Sequence, residues 1–473
     1  MIEHDDLWMG GQLVKPHSTA RIAVESPSTE ELIGHVPDSD SIDVDRVVGA
    51  ARAAFDAGDW SRWSWADRAA VLRKTADILA PDAELLSQLV TSENGVMISY
   101  RQGDVSSQFD WYLGLDPVLT ERREAPSGER GLIVKEPVGV VAAILPWNAP
   151  VSLGLGKILP ALLCGCTVVW KPAPETPLHA YAICDAFHRA GLPPGVLNVL
   201  TAGREASEYL VSHPGIDMVS FTGSTGAGKR IGAICGGQVK RVALELGGKS
   251  PAVILDDFDV AQSRAVLSGG MLRNSGQACA ALTRLLVPRR REAELVESFV
   301  AIAESVKVGD PFDPATVVGP LIADRQRDRV LGYIELARQE GATVATGGSR
   351  PNDLPTGYYV QPTVLASCTN DMRSSREEIF GPVVSVIAYD SVDEAIALAN
   401  DTPYGLAGAV YSRDIERATA VASRIRAGSV GVNTASSSIA FPFGGYGESG
   451  IGRQHGTECV HEYVEIKAII GAA

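Results

Sequence analysis

Four short stretches hold side chains whose types and spacing could do chemistry. NSGQACAALTR sets Cys279 among small neighbours, with Gly276 before it and Ala278 and Ala280 on either side. Small flanks leave a sulfur approachable, as a nucleophile requires, although a cysteine among alanines is more often core packing. VALELGGKSP places Glu245 between Leu244 and Leu246, after a strand-like run and before the Gly247–Gly248 turn. Poor solvation there raises a carboxylate pKa toward that of a general base; a strand-end carboxylate facing water is the plainer alternative. PWNAP fixes Asn148 between Pro146 and Pro150, where its amide serves either an oxyanion or an Asx turn. SFTGSTGAGKRIG, from Ser220 to Gly232, falls one residue short of a P-loop, because Arg230 stands where a magnesium-holding Ser or Thr belongs.

The elements around these stretches are of one kind. From Val140 to Gly248, β-type runs such as VVAAIL, CTVVWKP, VLNVLT and IDMVSFTG alternate with helical patterns, including His179 to Ala190. That rhythm predicts a mostly parallel sheet covered on both faces. A second α/β set starts near Ser250 and runs to about Asn433, with helices expected over Glu292–Val306 and Asp324–Glu340. The β-rich pieces Gly131–Pro137 and Glu462–Ile470 lie outside both sets. They suit an oligomer contact or an edge hairpin.

Bulk properties narrow the partners. The chain has 473 residues, 45% of them hydrophobic and 21% charged, which suits a soluble protein of two large domains. A net charge of −15 disfavours nucleic acid. The N-terminus MIEHDDLWMGG lacks the basic start of a secretory signal, and prolines and Lys157 interrupt the most apolar stretch, Gly139 to Trp170. No membrane partner and a cytoplasmic location are therefore expected. Seven cysteines without framework spacing argue against disulfides, and Cys164–Cys166 lacks the companions of a metal site.

PWNAP, KPAPETP, GLPPGVLNV, FTGST, ELGGKSP, GQAC, EEIFGPV, NDTPYGLAG and PFGGYGESGIGR follow one another in this order. Together, with Glu245 and Cys279 thirty-four residues apart, they resemble the aldehyde dehydrogenase superfamily over essentially the whole chain. The resemblance implies an α/β fold with a Rossmann-like cofactor domain (1–118 and 138–247), an α/β catalytic domain (248–447) and a small β oligomerisation arm (119–137 and 457–473). It further implies a homodimer or homotetramer.

The same resemblance assigns roles. Cys279 would attack the aldehyde, the Asn148 amide and the Cys279 N–H would hold the oxyanion, and Glu245 would activate water against the thioester. Lys157 would help to organise that water. Glu245 favours water over coenzyme A as acyl acceptor. NAD would be held by Lys171 at the adenine ribose and by Ser224 at the pyrophosphate. Glu378 would take the nicotinamide ribose and Phe380 would stand beside the ring, with Trp147, Gly223, Gly228 and Leu246 around them. The P-loop near-match then becomes a magnesium-free pyrophosphate site, with Lys229 a solvated residue on the helix that follows. Where such enzymes often carry a ribose-gripping Glu, three residues after Lys171, this chain has Pro174. NADP thus becomes tolerable, but no Arg is there to welcome its phosphate, and NAD is expected.

For the aldehyde, the resemblance implies a tunnel with Ala149, Leu153, Gly156 and Ala278 along one side and Thr434–Phe441, including Phe441, along the other. No cation stands in these stretches apart from Lys157, which suits an uncharged medium-chain, terpenoid or aromatic aldehyde. The alternatives are a semialdehyde dehydrogenase or, in another class, a cysteine hydrolase without redox turnover.

Overall fold

Strand Val140–Ile144 is buried along its whole length, and its side chains alternate between two cores. Val140, Ala142 and Ile144 face a cluster with Val44, Leu210 and Ile231; Val141 and Ala143 face Leu159, Leu72 and Phe187. A strand covered on both faces needs the unbroken apolar run that VVAAI supplies. The computed structural model describes residues 1–435 and 438–471.

This strand is the centre of an eight-stranded sheet. On one side the chain steps outward through Thr167–Lys171 and Leu197–Val199, all in parallel. It then returns to the other side of Val140–Ile144 with Met218–Thr222 and Arg241–Glu245, again in parallel. The order of strands therefore reverses beside Val140–Ile144, and in such sheets ligands bind outside the carboxyl ends at that point. Short antiparallel strands close the edges: Gly450–Ile451 beside Arg241–Glu245, and Leu7–Met9 with Gln12–Val14 at the far side. The 450–451 strand comes from a segment that the expected domain limits left unassigned.

Helix Pro150–Cys164 starts with proline at its first turn and stops at Gly165, whose φ of 92° is left-handed. Lys157 is the one charged side chain in this apolar helix, and it is fully buried. Helix Thr225–Gly237 begins where the Ser224 hydroxyl accepts the Ala227 N–H.

Five residues beyond Glu245, strand Ser250–Ile254 opens a second sheet of seven strands, ordered Thr343–Thr346, Thr363–Cys368, Val383–Tyr389, Leu282–Pro288, Ser250–Ile254, Ala407–Tyr411 and Ser429–Val432. All neighbours are parallel except the first pair. The Glu245–Ser250 link therefore sets the carboxyl ends of the first sheet against the amino ends of the second. A third sheet pairs Thr120–Glu124, Arg130–Pro137 and Val464–Ile470, all antiparallel. The C-terminal part of the expected arm, 457–473, is β only over Val464–Ile470. Glu458–Tyr463 instead forms a 3₁₀ helix that buries Cys459, Val460 and Tyr463.

Candidate active site

Cys279 differs from the other six cysteines, which are all buried, in being partly exposed. The turn that presents it is strained. Asn274 (φ 48°), Ser275 (φ 56°) and Gly276 (φ 74°) form a left-handed run, unfavourable for the two residues that carry a Cβ. Only glycine fits the third position, because a Cβ on Gly276 would lie 1.8 Å from the Gly381 carbonyl oxygen. Buried hydrogen bonds hold the run in place. Ser275 Oγ donates to Gly319 O and accepts its N–H, both at 3.0 Å. The Gln277 side-chain oxygen accepts the Ile322 N–H at 3.0 Å.

Asn148 follows strand Val140–Ile144 and is buried. Its amide donates one hydrogen to the Gln277 carbonyl at 2.9 Å, which leaves the second for another acceptor. Asn274 closes the link by donating to the Asn148 carbonyl at 3.0 Å. The switch-point strand and the cysteine turn are thus tied across the two sheets.

Cys279 and Asn148 belong to the walls of two cavities. One, of about 290 Å³, is also lined by Trp147, Gly223, Ser224, Leu246, Gly247, Glu378 and Phe380. Trp147 and Phe380 meet edge-on at 5.3 Å, and the Glu378 carboxylate accepts the Gly248 N–H at 3.1 Å. Burial raises the Glu378 pKa to about 7. The remaining expected cofactor residues, Gly228, Lys171 and Pro174, are not among those that line this cavity. Gly228 packs so closely on Leu246 that a Cβ would come within 2.3 Å of a leucine methyl. Lys171 ends strand Thr167–Lys171 and is buried, which pulls its pKa down to about 8. Pro174 follows three residues later, half-buried. A helix N-terminus, close backbone glycines, a buried ammonium and a carboxylate suit a dinucleotide. Lys229 and Arg230, the residues of the P-loop near-match, point outward instead and pair with Glu448 at 2.7 Å and Glu208 at 2.6 Å.

The other cavity, of about 460 Å³, is lined by Ala149, Leu153, Ala278, Ser438 and Ile439. Three expectations for this side need correction. Gly156 is buried under the wall, and a Cβ there would meet His455 at 3.3 Å. Phe441 is 69% exposed and lines nothing here, because the chain turns it to the surface. Nor is the cavity free of cations, since Arg101 and Arg273 stand in its wall with Asp104 and Gln108. Ser436 and Ser437, part of the expected far wall, lie outside the described residues.

His455 is a lining residue that the sequence did not suggest. Its φ of 60° is left-handed, its Nδ1 lies 3.0 Å from the Tyr112 hydroxyl, and its ring is tilted against Phe443. Burial lowers its pKa to about 4, so the imidazole is neutral at physiological pH. No sequence period marks it, because two backbone hydrogen bonds between Phe443 and Gln454 create the turn.

Behind Cys279, Glu245 is buried with neither carboxylate oxygen hydrogen-bonded to protein. Burial raises its pKa to about 8, against the opposing pull of Lys157 and Arg453. Lys157 donates to Ser220 Oγ at 3.3 Å, and burial brings its pKa down to about 8 as well. Burial, with the charges of Glu378 and Glu245, pushes the Cys279 thiol up to about 12.

Residues 13–469 match the sequence model of the Aldehyde dehydrogenase family, and the chain belongs to that family. Among curated proteins it is 42% identical to geranial dehydrogenase of Castellaniella defragrans, covering 99% of both chains. Among solved structures it resembles a Mycobacterium tuberculosis aldehyde dehydrogenase complexed with NAD+, with a TM-score of 0.96, 41% identity and coverage of 100% and 99% of the two chains. It also resembles a mutant of aldehyde dehydrogenase C from Pseudomonas syringae complexed with NAD+ and octanal, with a TM-score of 0.94, 41% identity and coverage of 99% and 97%.

Proposed function

We propose that this protein oxidises an uncharged, medium-to-bulky aldehyde to its carboxylic acid with NAD as acceptor. One observation carries the reading: Cys279 and Asn148 form the wall common to the two cavities, and Glu245 lies near enough to act on the sulfur electrostatically. An aldehyde on one side and a dinucleotide on the other would meet there.

The chain's own groups divide the work. A thiol with a pKa near 12 is protonated at neutral pH, so it must lose its proton as sulfur attacks the carbonyl carbon. Glu245 has both oxygens available to take that proton, directly or through water. The second Asn148 amide hydrogen and the Cys279 N–H stabilise the oxyanion of the thiohemiacetal; losing one such donor typically costs about 3–4 kcal/mol. Bound nicotinamide supplies the hydride acceptor. Glu245, its first proton passed to solvent, then takes one from the water that attacks the Cys279 thioester and returns it to the departing sulfur, releasing acid and thiol, while Lys157 and Arg453 hold positive charge nearby. On the cofactor, we assign Lys171 to the adenine ribose, the helix end at Ser224 to the pyrophosphate and Glu378 to the nicotinamide ribose. The Ser224 hydroxyl accepts from Ala227 and so keeps its own hydrogen to donate.

Two relatives support an uncharged substrate, one named for geranial and one complexed with octanal, whereas others at 36–38% identity are betaine aldehyde and aminoaldehyde dehydrogenases. Arg101 and Arg273 in the wall favour the second reading, a semialdehyde. The test is NADH absorbance with octanal, geranial, benzaldehyde, acetaldehyde and succinic semialdehyde. Highest kcat/KM on the bulky neutral aldehydes is expected, and highest kcat/KM on succinic semialdehyde or acetaldehyde would refute it. Cys279→Ala should lower turnover by roughly 10⁴-fold or more and leave NAD binding intact.

For assembly, we propose that the sheet ending in Val464–Ile470, with Ile466 and Ile470 exposed, carries the homodimer or homotetramer contact. A monomer in sedimentation analysis would refute that.

A further inference from the structure

The carboxylate missing at Pro174 has a counterpart from another part of the chain. After strand Leu32–Pro37, the turn at Asp38–Ser39 is laid over the carboxyl end of the first sheet. Ser39 N–H donates to Thr201 O at 3.1 Å, and Thr201 Oγ1 donates to Pro37 O at 2.7 Å. The Asp38 carboxylate accepts the Gly203 N–H at 2.7 Å. Leu200 N–H donates to Trp170 O at 2.9 Å, which places this turn beside the end of strand Thr167–Lys171. Glu175 and, after it, Asp38 oppose the effect of burial on the Lys171 ammonium, so both carboxylates reach it electrostatically.

The two carboxylates differ in what surrounds them. Glu175 is ion-paired with Arg325 from the second α/β unit, so its charge is met. No ion pair to Asp38 occurs among the described residues. Asp38 lines a crevice of about 950 Å³ whose wall also includes Arg230 and Ile234, on the same helix whose N-terminus borders the cofactor cavity. Of the guanidiniums there, Arg230 is paired with Glu208, and Arg204 also faces that carboxylate.

We infer that Asp38 is a specificity-determining residue of the cofactor site. Its charge, fixed beside the ribose-holding ammonium of Lys171, rejects a 2′-phosphate and makes the site selective for NAD over NADP. The physical cause is like-charge repulsion in a partly desolvated place, where an attractive Lys171 alone would favour the phosphate. The inference rests on the assignment of Lys171 to the adenine ribose.

Dissociation constants for NAD and NADP, measured by quenching of tryptophan fluorescence or by calorimetry without aldehyde, test it. Asp38→Asn keeps an oxygen to accept the Gly203 N–H and removes the charge; Asp38→Ser is the second variant should the first fold poorly. The NADP-to-NAD ratio of dissociation constants should fall by about tenfold or more in either. In the wild type it should narrow as salt rises. Glu175→Gln should change the ratio far less. An unchanged ratio in a folded Asp38 variant, or a larger fall in Glu175→Gln, overturns the assignment to Asp38. A Lys171→Ala variant that binds NAD as well as the wild type overturns the placement of the ribose itself.

Discussion

On the cofactor side of Cys279 the wall comes mainly from strand ends, glycines and a helix N-terminus: Trp147 after one strand, Gly223 and Ser224 after the next, and Leu246 and Gly247 after the third. On the substrate side it comes from side chains of separate segments, around residues 100–108, 148–153, 273–280 and 438–455. The first wall is fixed by sheet topology, because three parallel strands must end there. The second depends on how surface loops fold over that frame. Substitutions on the two sides should therefore separate in kinetics: cofactor-side changes should alter NAD affinity, substrate-side changes should alter aldehyde selectivity, and only the shared centre should alter both half-reactions.

The largest expected effect that sharpens this division is at the centre. Glu245→Gln should lower steady turnover by about 10²–10⁴-fold, slowing both the first-turnover release of NADH, because the same carboxylate takes the Cys279 proton, and the thioester hydrolysis that follows. The wild-type pH profile follows from the buried carboxylate. Its pKa is raised to about 8, so below that pH it is mostly protonated and cannot accept a proton. Thioester hydrolysis should therefore rise with pH up to about 8 and then level, and the Glu245→Gln exchange should remove this limb. Stopped-flow absorbance from pH 6 to 10 checks both. Unchanged steady turnover, or an unchanged limb in the variant, would take Glu245 out of the hydrolytic step.

An intermediate effect is expected on the cofactor side. A Cβ at Gly247 would sit 2.5 Å from a Glu378 carboxylate oxygen, a group already held by the Gly248 N–H. Gly247→Ala should displace Glu378 and weaken NAD binding by about tenfold, equivalent to about 1.4 kcal/mol. The relative kcat/KM values for different aldehydes at saturating NAD should hardly move. If aldehyde selectivity changed as much as NAD affinity, the two walls would not be separable.

The same contrast explains what was legible in the sequence. Cys279, Glu245 and Asn148 lie in short local patterns, and the structure brings all three to one junction. The parallel strands were readable because a strand covered on both faces must be apolar throughout, as at Val140–Ile144. Pocket residues were readable only in part: Ala149, Leu153 and Ala278 do line the substrate cavity. The family resemblance puts Phe441 in the wall, yet it is turned to the surface, and Gly156, expected on the same ground, sits one layer too deep. Arg101 and Asp104 reach the cavity from a loop with no motif. Asp38 acts on the cofactor end only because its turn is hydrogen-bonded to Thr201 and Gly203, a long-range pairing that no local spacing encodes.

His455 gives the smallest effect and the finest test of the comparison. Its ring lines the substrate cavity, with Nδ1 engaged by Tyr112 at 3.0 Å, which leaves Nε2 as the polar atom toward the cavity. A neutral imidazole there offers one hydrogen bond and no charge. Exchanging it for leucine should leave NAD affinity and the Glu245-dependent pH limb unchanged. It should raise the kcat/KM of octanal relative to a hydroxylated aldehyde of similar length by roughly 5–10-fold, about one hydrogen bond's worth of discrimination. The left-handed φ of 60° suits histidine better than leucine, so a small loss of stability is expected, and a thermal melt would show it. If His455→Leu altered NAD affinity instead, the substrate-side wall would extend its influence across Cys279, and the division between backbone-built and side-chain-built walls would fail at its weakest point.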